Sequence, residues 1–145
     1  MANRNAFTLV ELVVVVLLLG ILAGVAAPKL FSTTAIATDN GLRQTLASVR
    51  DAIDLYAAQN GGNFPPCSGT GSDFHAGLAT HLRGAFPRCP VGPAKNVNVL
   101  AVGGASTDGE AAPTSGWKFN TETGVFICNF SGASVSDGAV TYDKF

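Results

Sequence analysis

The chain opens with a short leader and a long apolar run. Apart from Thr8 and Glu11, residues 7–27 are all apolar or glycine, and the six residues before them carry one positive charge, Arg4. About 20 apolar residues in helical form span the ~30 Å hydrocarbon core of a bilayer. The pattern therefore predicts a membrane-spanning helix. The basic leader predicts a cytoplasmic N-terminus and an exported C-terminal part.

A second helical pattern follows the apolar run. Residues 38–41, Thr-Asp-Asn-Gly, offer a place for a break or a new N-cap, and the Asn-Gly-Gly of residues 60–62 predicts a helix end. We therefore expect one long helix over residues 7–59, kinked at Pro28, which lacks an N–H group. Its outer half carries an apolar stripe at spacings of four and three, predicted to pack on a small domain: Leu42, Leu46, Val49, Ile53 and Tyr56.

The rest of the chain alternates loops with short elements. Residues 61–116 are rich in glycine, proline and small polar residues, and predict a connecting region with a short helix at 76–82 and a strand at 97–102. In residues 117–130, apolar Trp117 and Phe119 alternate with polar Lys118, and Asn-Thr-Glu-Thr-Gly supplies a turn. This pattern predicts a β-hairpin.

The predicted fold class is therefore α+β. A long kinked N-terminal α-helix packs on a small C-terminal antiparallel β-sheet. The predicted organisation is a leader, a membrane-spanning helix, an amphipathic continuation, a connecting region and a C-terminal hairpin with its tail, at residues 1–6, 7–27, 28–60, 61–116 and 117–145.

Composition narrows the functional classes. The 145 residues leave room for one modest domain besides the apolar run, and the net charge of −1 gives no basic surface, so nucleic acid is not an expected partner. No nucleophile–base pair, metal-ligand spacing or phosphate loop is recognisable, so we expect no catalytic residues and no enzyme. Asp73, His75 and His81 lie in a glycine-rich stretch without ligand spacing, which favours a solvated loop over a metal site.

Glu11 is the anomaly of the apolar run. An ionised carboxylate in a membrane costs several kcal/mol unless a partner neutralises it. A cleaved signal peptide ending near Ala27 would place Pro28 just after the cut and Glu11 inside its apolar core. A plain signal anchor explains the length but gives no reason for the carboxylate. A third alternative is that Glu11 snorkels to the membrane interface.

The junction at residues 6–11, Ala-Phe-Thr-Leu-Val-Glu, resembles the class III leader junction of type IV pilins and type II secretion pseudopilins. In that family a prepilin peptidase cuts after a small residue, usually glycine, and methylates the new amine. The resemblance implies cleavage between Ala6 and Phe7 and N-methylation of Phe7. It also implies that Glu11, the fifth mature residue, acts in fibre assembly by pairing with the terminal amine of a neighbouring copy. Pro28 also lies where such helices often carry proline.

A second resemblance lies near the C-terminus. The hairpin from Trp117 to Gly124 is similar to the Gly-Trp-x-Tyr-Asn-x-x-Thr-Gly hairpin of type II secretion pseudopilins. Pilin-like proteins often join a Cys-Pro in the connecting loop to a cysteine on the last strand, which implies a disulfide between Cys89 and Cys128. A Cys67–Cys89 pair is the competing alternative.

The resemblance also bears on cofactors. Some major pseudopilins bind calcium in the C-terminal region. The acidic residues here show no oxygen-ligand spacing, so the expectation is no cofactor, with calcium left open. These residues are Asp108, Glu110, Asp137 and Asp143.

The family resemblance implies a structural role. The chain would be a single-pass protein of the bacterial inner membrane with its C-terminal domain in the periplasm, and would then assemble into a homo-oligomeric helical fibre. Its partners would be the prepilin peptidase, an inner-membrane assembly platform and minor pilins or pseudopilins. A type II secretion pseudopilin is favoured. A type IV pilus subunit for adhesion, motility or DNA uptake is the alternative, followed by a membrane-anchored binding module that does not polymerise.

Overall fold

The computed structural model describes residues 7–103 and 107–145 and confirms the predicted α+β class. Its elements are helix α1 (Leu9–Gln59), helix α2 (Ser72–Leu78), strands β1 (Leu100–Gly103), β2 (Trp117–Asn120) and β3 (Phe126–Cys128), and a final 3-10 helix (Tyr142–Lys144). The chain divides into two units after Ala35. We call residues 7–35 the apolar segment and residues 36–145 the globular unit.

Helix α1 runs without interruption through residues 38–41, where the sequence allowed a break. The reason is that Asp39 is buried there and its carboxylate is hydrogen-bonded to side chains of the globular unit, so its polarity does not end the helix. The helix ends as predicted at the Asn-Gly-Gly sequence. Gly61 adopts the left-handed conformation, and the N–H of Gly62 donates to the carbonyl of Ala57 in the six-to-one bond of a Schellman motif.

Helix α2 starts and ends four residues before the predicted positions, 76 and 82. Its first turn is organised by Asp73, whose carboxylate accepts hydrogen bonds from the N–H and the hydroxyl of Ser68. Phe74 and Leu78 are the buried residues of this helix. The shift of the helix therefore places Phe74 in the core.

The sheet has the order β1-β2-β3. Strands β2 and β3 form the predicted antiparallel hairpin, with Trp117 opposite Cys128 and Phe119 opposite Phe126. Strand β1, which overlaps the predicted strand at 97–102, adds to this antiparallel hairpin by pairing with β2 in parallel. The connection between the two strands, residues 104–116, has the length of about a dozen residues that a parallel crossover needs.

The core lies between α1, α2 and the sheet. Four residues of the predicted stripe, Leu42, Leu46, Val49 and Ile53, are at most 1% exposed, and Tyr56 is partly buried at the edge. The aromatic rings of the sheet and α2 belong to the same core. These rings also pack against each other at distances typical of offset or tilted aromatic pairs. The ring centroids of Phe74 and Phe119 are 4.5 Å apart, and those of Trp117 and Phe126 are 5.3 Å apart.

Candidate functional site

The large apolar side chains of the apolar segment are exposed. These side chains are all about half or more exposed, from 48% at Val14 to 81% at Phe7. An 18-residue window of α1 has a mean hydropathy of 2.9, and the helix is long and apolar enough to cross a membrane by length and composition. A helix that is apolar all round needs lipid or other helices as its surroundings.

Thr8 and Glu11 build the start of α1. The hydroxyl oxygen of Thr8 accepts a hydrogen bond from the N–H of Glu11 at 3.2 Å, and its carbonyl accepts one from the N–H of Leu12. Thr8 is therefore the N-cap, and Glu11 lies in the first turn, where the helix dipole favours a negative charge. This cap was not predicted, although the Thr-x-x-Glu spacing is the signal of a capping box.

The predicted cleavage point lies at the border of the described chain. Ala6 is outside the described residues, and Phe7 is the first residue within them. Phe7 precedes the cap and lies outside α1. The roles of Ala6 and Phe7 in processing remain predictions.

Gly20, Gly24 and Pro28 lie along α1. The two glycines have no side chain, and Pro28 has no N–H group. A methyl group added at either glycine would meet nothing within 4 Å, so both positions offer open backbone to another helix. Pro28 lies inside α1 and cannot donate to the carbonyl four residues earlier. The helix continues beyond it, and the kink remains a prediction.

Cys89 and Cys128 meet in the core of the globular unit. Both are thiols, at most 1% exposed, with their sulfurs 3.6 Å apart. Cys128 lies on β3, and Cys89 is held beside it because its N–H and carbonyl bond the main chain of Val97 and Asn96. The contact with Cys89 and burial raise the pKa of Cys128 far above its usual range, so this thiol stays protonated. The disulfide between the two cysteines remains a prediction.

Cys67 is the third thiol. It is partly buried against the core, and burial, with the nearby charge of Asp73, raises its pKa to about 11. A thiol with this pKa is a poor nucleophile at neutral pH.

Asp73, His75 and His81 do not converge on one site. Asp73 binds Ser68, the ring of His75 stacks on Phe86 at 4.0 Å, and His81 meets the edge of Tyr56. Among the residues that the structure describes, no three His, Cys, Asp or Glu side chains group to hold a metal ion.

The four acidic residues considered for calcium are also dispersed. Asp108 and Asp143 are joined through Lys144, whose ammonium lies 2.5 Å and 3.6 Å from their carboxylates. The carboxylate of Asp137 accepts the N–H of Ala139, and Glu110 is exposed.

A groove of about 510 Å³ runs between the second half of α1 and residues 81–87. Ser48, Asp51 and His81 line it, which are residue types of hydrolytic relays. Within the described ranges no hydrogen bond joins these three side chains, and His81 instead packs on Tyr56. The groove therefore lacks the nucleophile–base contact that such catalysis requires.

A buried polar cluster around Asp39 was not predicted. Asp39 on α1 is 1% exposed, and its carboxylate accepts hydrogen bonds from the hydroxyls of Ser134, Ser136 and Tyr142 and from the N–H of Ser136. Burial raises the pKa of Asp39, but these hydrogen bonds outweigh burial and lower it below its usual value. These hydrogen bonds join residues 134–145, which we call the C-terminal segment, to α1.

Two arginines of α1 extend this attachment along the helix. The guanidinium of Arg43 lies 3.6 Å from the ring centre of Phe145, and Arg50 donates to the main-chain oxygens of Phe145 and Phe126. The polar side of α1 therefore holds the C-terminal segment, while the predicted apolar stripe holds the core.

Comparison with known proteins identifies the N-terminal segment. Residues 1–27 match the family described as the prokaryotic N-terminal methylation motif. This match indicates a type IV pilin-like substrate of prepilin peptidase, and the motif with the long apolar helix fits a single-pass membrane-anchored protein. The match does not distinguish a pseudopilin from a pilus subunit. No curated protein and no solved structure matches the chain.

Proposed function

We propose that this chain is a structural subunit of a helical fibre, released for assembly by cleavage between Ala6 and Phe7 and methylation of Phe7. The observation that carries the proposal is the match of residues 1–27 to the methylation motif, together with the exposure of the large apolar side chains in the first part of α1.

The fibre gives the apolar segment a second environment besides lipid. Before assembly the segment lies in the inner membrane, with the globular unit in the periplasm. In the fibre the same side chains are covered by the helices of other copies, so apolar surface never enters water. Gly20 and Gly24, four residues apart and open, allow two helix backbones to approach closely.

Glu11 gives the assembly its register. Cleavage creates a positive amine at Phe7, four residues away along the same chain. In a stack of helices the carboxylate of one copy neutralises the amine of its neighbour, which removes two charges from apolar surroundings. Because desolvation offsets much of the attraction, the pair sets the axial position of the subunits more than it adds stability.

Within this class we favour a type II secretion pseudopilin over a type IV pilus subunit. Support comes from the hairpin of β2 and β3, whose turn resembles that of pseudopilins. The carboxamide oxygen of Asn120 accepts the N–H groups of Glu122 and Thr123, and Gly124 takes a positive φ of 73°. Genes for a secretion ATPase and a secretin beside this one would favour secretion, and genes for retraction would favour the pilus.

The test is assembly in cells that hold the fibre machinery. Glu11→Ala should be cleaved and methylated as the parent is, but should be recovered in fibres at least tenfold less. Asp54→Ala, which removes an exposed carboxylate farther along α1, is the matched control and should assemble normally. Normal fibres from Glu11→Ala would refute the charge-pair role. A chain that is processed but never polymerises in any form would support the membrane-anchored module instead.

A further inference from the structure

Lys144 lies between two carboxylates near the end of the globular unit. Its ammonium nitrogen is 2.5 Å from Asp108 Oδ1 and 3.6 Å from Asp143 Oδ2. Asp108 comes from the connecting region, whereas Asp143 and Lys144 belong to the final 3-10 helix. The ammonium therefore joins two parts of the chain that are far apart in sequence.

Of the two carboxylates, that of Asp143 needs a cation more. Its side chain is only 4% exposed, against 73% for Asp108. Asp143 Oδ2 accepts the N–H of Gly109 at 3.1 Å, and Oδ1 is buried and accepts no hydrogen bond. Burial raises the pKa of Asp143, but hydrogen bonds from Thr141 and Gly109 and the nearby Lys144 ammonium outweigh burial and lower it below its usual value. The ammonium is therefore the one positive charge among the groups that keep this buried carboxylate ionised.

The geometry around Gly109 holds the two carboxylates in place. A methyl group added there would lie 2.8 Å from the Asp143 Cβ and 2.9 Å from the main chain of Phe130, so this segment fits closely against the end of the chain. Lys118 on β2 donates to the main-chain oxygen of Asp108 at 2.9 Å and fixes the segment from the other side. We call the contact of residues 108–110 with Asp143 and Lys144 the C-terminal junction.

A calcium ion does not fit this junction as it is built. Calcium takes six to eight oxygen ligands, commonly several carboxylates. Here the carboxylates of Asp108 and Asp143 already face the Lys144 ammonium, and Asp137 is engaged by the N–H of Ala139. We propose that the Lys144 ammonium is the built-in cation of the C-terminal junction, so that this end of the globular unit folds without a divalent cation. The proposal is independent of the fibre role.

The test is thermal unfolding of the full chain in detergent. The near-ultraviolet circular dichroism of Trp117 monitors the transition. The parent should unfold at the same midpoint in excess EDTA and in millimolar CaCl2. Lys144→Gln should lower the midpoint by roughly 5 °C, because it leaves a buried carboxylate unpaired, and Lys144→Arg should keep most of the stability. Lys118→Gln, which frees only a main-chain oxygen, is the matched control and should cost less.

A double-mutant cycle separates charge from packing. In the Asp143→Asn background the buried charge is gone, so Lys144→Gln should lower the midpoint much less than in the parent. A midpoint of the parent that rises by several degrees with calcium would overturn the proposal. So would an equal effect of Lys144→Gln in both backgrounds, or a loss no larger than that of Lys118→Gln.

Discussion

The hydroxyl of Tyr142 donates a hydrogen bond to the carboxylate of Asp39 across 2.9 Å, although the two residues are 103 positions apart. The same carboxylate accepts a hydrogen bond from the hydroxyl of Ser134 at 2.5 Å. Asp39, on the part of α1 that belongs to the globular unit, therefore binds the C-terminal segment through hydrogen bonds. The C-terminal segment is held to α1 by this polar contact as well as by apolar packing.

Replacing Asp39 should destabilise the globular unit strongly. Asp39→Ala leaves three hydroxyls and an N–H without their acceptor, so we expect a loss of about 2–4 kcal/mol of unfolding free energy. Chemical denaturation of the full chain in detergent measures it. Asp51→Ala removes an exposed carboxylate from the same helix and should change stability by less than about 0.5 kcal/mol. Equal losses in the two variants would contradict the role assigned to Asp39.

Oxidation should join Cys89 to Cys128 and leave Cys67 as a thiol. Their sulfurs are already in contact and the residues are 39 positions apart, so the chain-entropy account gives roughly 3–4 kcal/mol of stabilisation. Alkylation of the oxidised protein, followed by mass mapping of its peptides, checks the pairing. Addition of a reductant should lower the unfolding midpoint of the parent but not that of Cys89→Ser. A mapped Cys67–Cys89 peptide would contradict the prediction.

The stability of the globular unit should fall as the pH is lowered below about 6.5. Burial lowers the pKa of His75, against smaller opposing effects of Asn98 and Asp73, so the folded state holds this ring neutral. The unfolded chain binds the proton at higher pH than the folded chain does, and protonation therefore favours unfolding as the pH falls.

The difference in unfolding midpoint between pH 7.5 and pH 5 measures the contribution of His75. His75→Phe keeps a ring on Phe86 and should shrink that difference, while His81→Gln, the matched control, should leave it nearly unchanged. If His75→Phe retains the full pH dependence of the parent, another group is responsible.

The parts of the fold that could be predicted from the sequence are those with a regular pattern over many residues. The apolar run, the stripe from Leu42 to Ile53 and the hairpin after Trp117 each carry a regular signal over many residues, and all three are present. The direction of β1 was not predictable from its own residues, because pairing direction depends on the path of the connection.

The Asp39 cluster was missed for a related reason. Its hydroxyl donors lie about a hundred positions away in a segment of small polar residues, and a single aspartate next to Asn-Gly indicates a helix break when read locally. The contact of Cys89 with Cys128, in contrast, was expected from family resemblance and not from any spacing in the chain.

The mass of the mature N-terminus tests the central claim most directly. Intact-protein and peptide mass spectrometry of chain made with an active prepilin peptidase should give a form that begins at Phe7 and carries one added methyl group. In cells lacking the peptidase the same chain should begin at or near Met1, and Ala6→Leu should block cleavage in cells that have it. A mature form that begins after Ala27, or an intact leader in cells with an active peptidase, would contradict the account.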